Sequence, residues 1–113
     1  MCGEMAHIEN FPFRPEMKVA LLAGRKCTTA RSKAYGEPGD TFNIDDEIFR
    51  IVDVEPEMLD FITSAYYRLE GCKNPDDFIA LWKRLHRGQW NPDKEYFVHF
   101  LAHVIDIPFE APQ

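Results

Sequence analysis

The residues with the most chemistry to offer lie together in the run Gly24-Arg25-Lys26-Cys27-Thr28-Thr29-Ala30-Arg31. A lysine can hold or release a proton when its surroundings allow. A threonine brings a hydroxyl, and an arginine clamps acceptors without exchanging protons near neutrality. Such a set suits a nucleobase or a small nucleoside-like ligand, which a few polar groups and an aromatic ring can hold. Charge points the same way. Residues 14–33 carry Arg14, Lys18, Arg25, Lys26, Arg31 and Lys33 against Glu16 alone, a net +5 in a chain of net −6, so the rest of the chain is −11. One basic patch on an acidic body argues against a protein that coats a nucleic-acid backbone, and favours a small ligand or a short, local RNA contact. The plainer reading is that these are solvated surface charges or partners of the acidic body.

Other reactive side chains give less. Cys2, Cys27 and Cys72 are odd in number and form no C-x-x-C pair, which predicts reduced thiols and neither a zinc site nor a disulfide framework. Cys27 has in Lys26 the cationic neighbour that can activate a thiolate. His99 and His103 fall in a predicted strand, where a spacing of four puts them on one face but about 13 Å apart, too far to share an ion. His7 and His86 have no partner in sequence, so no metal and no other cofactor is expected. Trp90, flanked by Gly88 and Asn91-Pro92, is the aromatic placed to stack on a base. Tyr66, Tyr67 and Arg68 are candidates for a pocket mouth.

The elements that must position these residues follow from pattern. At 113 residues the chain fits one domain able to bury a core without disulfides, with residues 1–13 and 106–113 at the periphery. Pro15 at a first helical position, apolar Met17, Ala20, Leu21 and Leu22, and Gly24 predict a helix over residues 15–23 that hands the chain to the basic run. Residues 27–31 read as a strand or extended loop, and Gly36-Glu37-Pro38-Gly39-Asp40 as a turn. Residues 41–44 and 47–54 flank Asp45-Asp46 and predict a hairpin. Pro56 opens a helical stretch bearing Met58, Leu59, Ile62, Ala65 and Tyr66, closed near Glu70-Gly71. Asn74-Pro75-Asp76-Asp77 is a helix start, followed by Phe78, Leu81, Trp82 and Leu85 at helical spacing. That stripe assigns Phe78 and Trp82 to the core. Residues 95–105 alternate aromatic and β-branched side chains as a long buried strand. Strands on both sides of the main helices predict an α+β domain with a small curved or closed sheet. No stretch approaches the roughly 18 apolar residues of a membrane span, and residues 1–13 lack a basic start and an apolar core segment, which predicts a cytoplasmic protein.

The run Gly24, Lys26, Thr29 and Arg31 resembles the G-x-K-x-x-T-x-R signature of the ASCH domain family. The likeness extends through Gly39-Asp40, the strand over residues 49–54, Glu70-Gly71, the Asp77-Phe78 to Trp82 helix and the strand over residues 96–100, and so covers most of the chain. It implies a PUA-like β-barrel, a curved and mostly antiparallel sheet with flanking helices. Some small ASCH proteins resemble amidohydrolases that remove the acetyl group of N(4)-acetylcytidine with a Lys, a Thr and a Glu. Carried onto this sequence, these fall on Lys26, Thr29 and Glu70, with Gly24, Arg25, Arg31 and Trp90 as ligand-binding candidates. Other members are regarded as RNA-binding modules or linked to RNA cleavage, so the resemblance leaves a binding module and a ribonuclease open. Glu70 beside Gly71 also reads simply as a helix-end residue.

The residue types fit the amidohydrolase chemistry. An acyl transfer needs a nucleophile, a base and an acid for the departing amine: Thr29 attacks, Lys26 takes its proton, and Glu70 serves the leaving nitrogen. An ordinary lysine is charged at neutral pH, so Lys26 must be desolvated or crowded by Arg25 and Arg31. In a regular strand Thr29 and Arg31 share a face that Lys26 does not, so the scheme requires Lys26 in the turn after the helix.

Overall fold

The computed structural model describes residues 6–105. The expected tail over residues 106–113, together with residues 1–5 and Cys2 among them, lies outside that range. In chain order the elements are β1 (His7–Ile8), α1 (Pro15–Leu22), β2 (Thr28–Arg31), β3 (Thr41–Ile44), β4 (Glu47–Met58), α2 (Leu59–Ala65), α3 (Pro75–Leu85) and β5 (Glu95–Val104). The five strands form one sheet in the order β1-β3-β4-β5-β2. Every pairing is antiparallel except the short parallel pair of β1 with β3.

This is the α+β class that the pattern predicts, but the sheet is open. β1 and β2 stand at opposite edges and are two and four residues long. Edges so short offer too few backbone groups to pair and close a barrel. Side chains take over where strand pairing stops. Phe11 and Leu21 join Phe42, Ile44, Phe49, Ile51 and Leu101 in one buried cluster. A second cluster joins Leu59 and Ile62 of α2, Phe78 and Trp82 of α3, and Tyr96 and Val98 of β5. Alternation along β5 serves both, because Tyr96 and Val98 face one way while His99 and Leu101 face the other, all four buried.

One expectation is corrected here. Pro56 lies inside β4, opposite Phe97, and helix α2 starts at Leu59. β3 pairs only with residues 47–50 of β4, so around Pro56 the other edge of β4 is free and a missing N–H costs nothing. Residues 6–13 touch the sheet and its loops. The Asp40 carboxylate accepts hydrogen bonds from the backbone N–H groups of Ala6 and Glu37, each at 2.9 Å, and Phe11 stacks on Phe13 and Tyr35 at centroid distances of 4.9 and 4.8 Å. Phe11 is buried and the other two rings are half-buried, which offsets the freedom lost by ordering a few residues. Among the described residues no helix is long and apolar enough to cross a membrane.

α3 forms as its sequence requires. The Asn74 side chain accepts from the Asp77 backbone N–H at 2.8 Å, Pro75 takes the first helical position, and Lys83 and Arg84 occupy the last turn. Its apolar stripe then docks against β5 and faces β2. That placement creates the site.

Candidate functional site

α1 ends at Leu22, and the chain turns through Gly24 at φ +79°, a conformation that suits glycine. The backbone N–H groups of Arg25 and Lys26 both donate to the Ala20 carbonyl, so Lys26 is held in the connection before β2 begins at Thr28. A second connection comes from α2. Residues 66–72 wind through turns, and the Leu69 carbonyl accepts from the backbone N–H groups of Cys27 and Thr28 at 2.7 and 3.1 Å. Gly71 adopts φ +91°, a backbone conformation that suits glycine, and packs in ordinary contact with Arg25 and Lys26. Glu70, just before it, comes to lie beneath Lys26.

Lys26 Nζ donates to Glu70 Oε1 at 2.7 Å, and Thr28 Oγ1 donates to Glu70 Oε2 at 2.8 Å. All three residues are buried, Thr28 completely. The expected crowding of Lys26 by other cations is thus not what surrounds it, because its ammonium meets a carboxylate. Arg25 is exposed and, like Gly24, lies outside the cavity lining. Thr29, on the other face of β2, is also buried, and its Oγ1 accepts from Arg31 Nε at 3.1 Å. Arg31 donates through Nη2 to the Pro12 carbonyl at 2.6 Å and lies over the rings of Phe11, Phe13 and Tyr35 at 5.0, 4.7 and 5.1 Å. Burial lowers its pKa from the ordinary arginine value, opposed mainly by Tyr35.

Lys26, Thr29, Arg31 and Glu70 all line one cavity of about 280 Å³. Its walls come from Phe13 and Met17 on one side and from Phe78, Leu81, Trp82 and Leu85 of α3 on the other. The size is at the lower end for small-molecule sites, and the mixture of apolar walls with a few polar groups is typical of them. The stacking aromatic of this cavity is not Trp90. That ring packs edge-on against Phe78, 6.4 Å between centroids, within the second core cluster, because the Gly88 turn folds it back onto α3. Trp82, which the helical stripe assigns to the core, is buried and also lines the cavity.

Three further residues bear on the site. Cys27 is no activated thiolate, since burial raises its pKa and Glu70 adds to this, against the smaller opposing effect of Lys26. Thr28 escaped sequence reasoning, although any tandem Thr pair in a strand sends one hydroxyl to each face. His99 is fully buried, and its Nδ1 donates toward the carbonyls of Thr29 and Phe97 at 3.2 and 3.1 Å while its Nε2 accepts from the Tyr35 backbone N–H at 3.0 Å. It belongs to the scaffold behind Thr29. Tyr66 and Phe100 flank an acidic recess at Asp53, Glu55 and Glu57, away from Lys26.

Known structures show what this arrangement resembles. An ASCH domain from Lactobacillus crispatus JV V101 superposes with a TM-score of 0.62 and 13% identity over 88% of this chain and 79% of that one. The fold is that of an ASCH domain. A protein of the DUF984 family from Enterococcus faecalis V583 superposes with a TM-score of 0.58 and 14% identity, over 98% of this chain and 88% of that one. No protein-family model and no curated protein matches the sequence. The ASCH fold thus rests on shape together with the short signature at residues 24–31, whose Lys26, Thr29 and Arg31 side chains meet in one cavity.

Proposed function

We propose that the cavity binds a cytosine nucleoside and hydrolyses the acetyl amide on its exocyclic nitrogen, releasing acetate and cytidine. The observation that supports this best is the buried Lys26–Glu70 pair lining, together with Thr29, a cavity walled by Trp82 and Phe78. The Thr29 oxygen accepts from Arg31 and keeps its own proton free to give, and the guanidinium lowers the cost of the alkoxide that forms. A proton moved from Lys26 Nζ to Glu70 Oε1 leaves a neutral amine and a carboxylic acid. The amine takes the proton of Thr29 as its oxygen attacks the acetyl carbon, and the acid protonates the departing cytosine nitrogen. Water then cleaves the acetyl-threonine ester, giving acetate and restoring the hydroxyl.

Incubation with N(4)-acetylcytidine, followed by chromatography for cytidine, tests the reading. Turnover is expected in the wild type and absent in Thr29→Ala and Lys26→Ala. Clean wild-type protein without turnover retires the hydrolase. A binding-only module is the second reading, favoured by one observation: at rest Thr29 is bonded to Arg31 and Lys26 to Glu70, so nucleophile and base are not bonded to each other. Cytidine bound without any turnover of the acetylated form is its signature.

A further inference from the structure

Beside the first cavity lies a second, of about 260 Å³, and the two share Ala30, Arg31, Trp82 and His86 as a common wall. A ligand seated against Trp82 in the first therefore lies next to the second. Their chemistry differs. The first is walled largely by apolar side chains, whereas the second adds Ser32, Gln89, Asn91 and Lys94. Among the described residues no carboxylate lines the second cavity, and the acid that lines the first, Glu70, is committed to Lys26 and Thr28. In a chain whose residues outside 14–33 sum to −11, two adjoining recesses bordered by Arg31 and Lys94, with no free carboxylate among the described residues, form a local well for negative charge.

The polar groups that border the recesses are set in place. Arg31 is fixed by Thr29, the Pro12 carbonyl and three rings. His86 stacks on Trp82, 4.1 Å between centroids, with Nδ1 donating to the Trp82 carbonyl, which leaves Nε2 as the free ring nitrogen. Lys94 extends its ammonium over the Tyr96 ring at 5.1 Å. Because Trp82 and His86 border both recesses, a group attached to a base in the first has the second within reach.

We infer that the second cavity is a phosphate subsite, so that the ligand of the paired cavities is a nucleoside monophosphate and not the bare nucleoside. This deepens the nucleoside reading and rests on it for the base. A monophosphate fits better than a long polynucleotide because the chain outside residues 14–33 is net −11.

Calorimetric titration of the full chain with cytidine, cytidine monophosphate, ribose 5-phosphate and a cytidine-centred RNA trinucleotide tests it. The monophosphate is expected to bind about tenfold more tightly than cytidine, and exposed Lys94→Gln to remove most of that preference while leaving cytidine affinity unchanged. Equal or weaker binding of the monophosphate overturns the subsite and leaves the nucleoside reading intact. Ribose 5-phosphate binding that depends on Lys94, with no cytidine binding, keeps the subsite and removes the nucleoside reading. A trinucleotide that binds more tightly than the monophosphate overturns the monophosphate in favour of RNA. Silence from all four ligands ends both.

Discussion

Lys26, Thr28 and Glu70 form a closed set of charges and hydrogen bonds with almost no access to water. Desolvating two ions is costly, and the pair persists because each satisfies the other while Thr28 serves the second carboxylate oxygen. Removing one member is therefore much worse than removing both. Glu70→Gln should lower unfolding free energy by about 3–5 kcal/mol by stranding the ammonium, and a Lys26→Met, Glu70→Leu double variant should recover most of that loss. Urea denaturation of the two variants checks this, and equal destabilisation of single and double would show that Lys26 finds another partner. Two of these three residues were legible in the sequence. Lys26 and Glu70 stood in motif-like positions, but Thr28 did not, because which hydroxyl of a tandem pair meets the carboxylate depends on how a loop some forty residues away is folded.

Elements were legible where a local signal is strong. The Asn74 cap and the Phe78, Trp82 stripe predict α3, and the residues flanking Asp45-Asp46 predict the β3–β4 hairpin. Long-range relations were not. Pro56 reads locally as a helix opener, yet β5 pairs across it and extends β4 to Met58. Trp90 reads as an exposed loop aromatic, yet α3 offers it Phe78. His99 is the least legible of all, a strand histidine that proves to tie β5 to the β2 backbone and to the loop at Tyr35. Burial lowers its pKa below the ordinary 6.5, opposed by its hydrogen bonds to Thr29 and Phe97. The unfolded chain thus takes up a proton that the folded chain refuses, so this contribution to stability is complete above about pH 6.5 and is lost as pH falls through the folded value. Asp40, held low chiefly by the Glu37 and Ala6 N–H groups, acts only below its ordinary 3.8. Denaturation midpoints between pH 8 and pH 5 should fall more steeply for the wild type than for His99→Gln, which is less stable at pH 8 but flatter. Parallel curves would show that His99 is protonated equally in both states.

For the molecule as a whole, the decisive property is where charge is absent. The chain is net −6, and its acidic excess includes the Asp53, Glu55 and Glu57 recess, where the Asp53 carboxyl raises the pKa of Glu55. Among the described residues the paired cavities hold no free acid. An extended nucleic acid would meet, outside residues 14–33, a chain of net charge −11. A single strand loses about 0.7 in log–log salt slope per phosphate contacted. Two phosphates held at this site give a slope of about −1.4, whereas an uncharged nucleoside should show almost none. Fluorescence titrations of cytidine and of a twelve-nucleotide RNA at several salt concentrations separate the cases, with cytidine changing less than about twofold across the series. An RNA slope steeper than about −4 would require six or more phosphates, and with them a basic track that this surface, acidic outside residues 14–33, would have to supply from beyond the paired cavities.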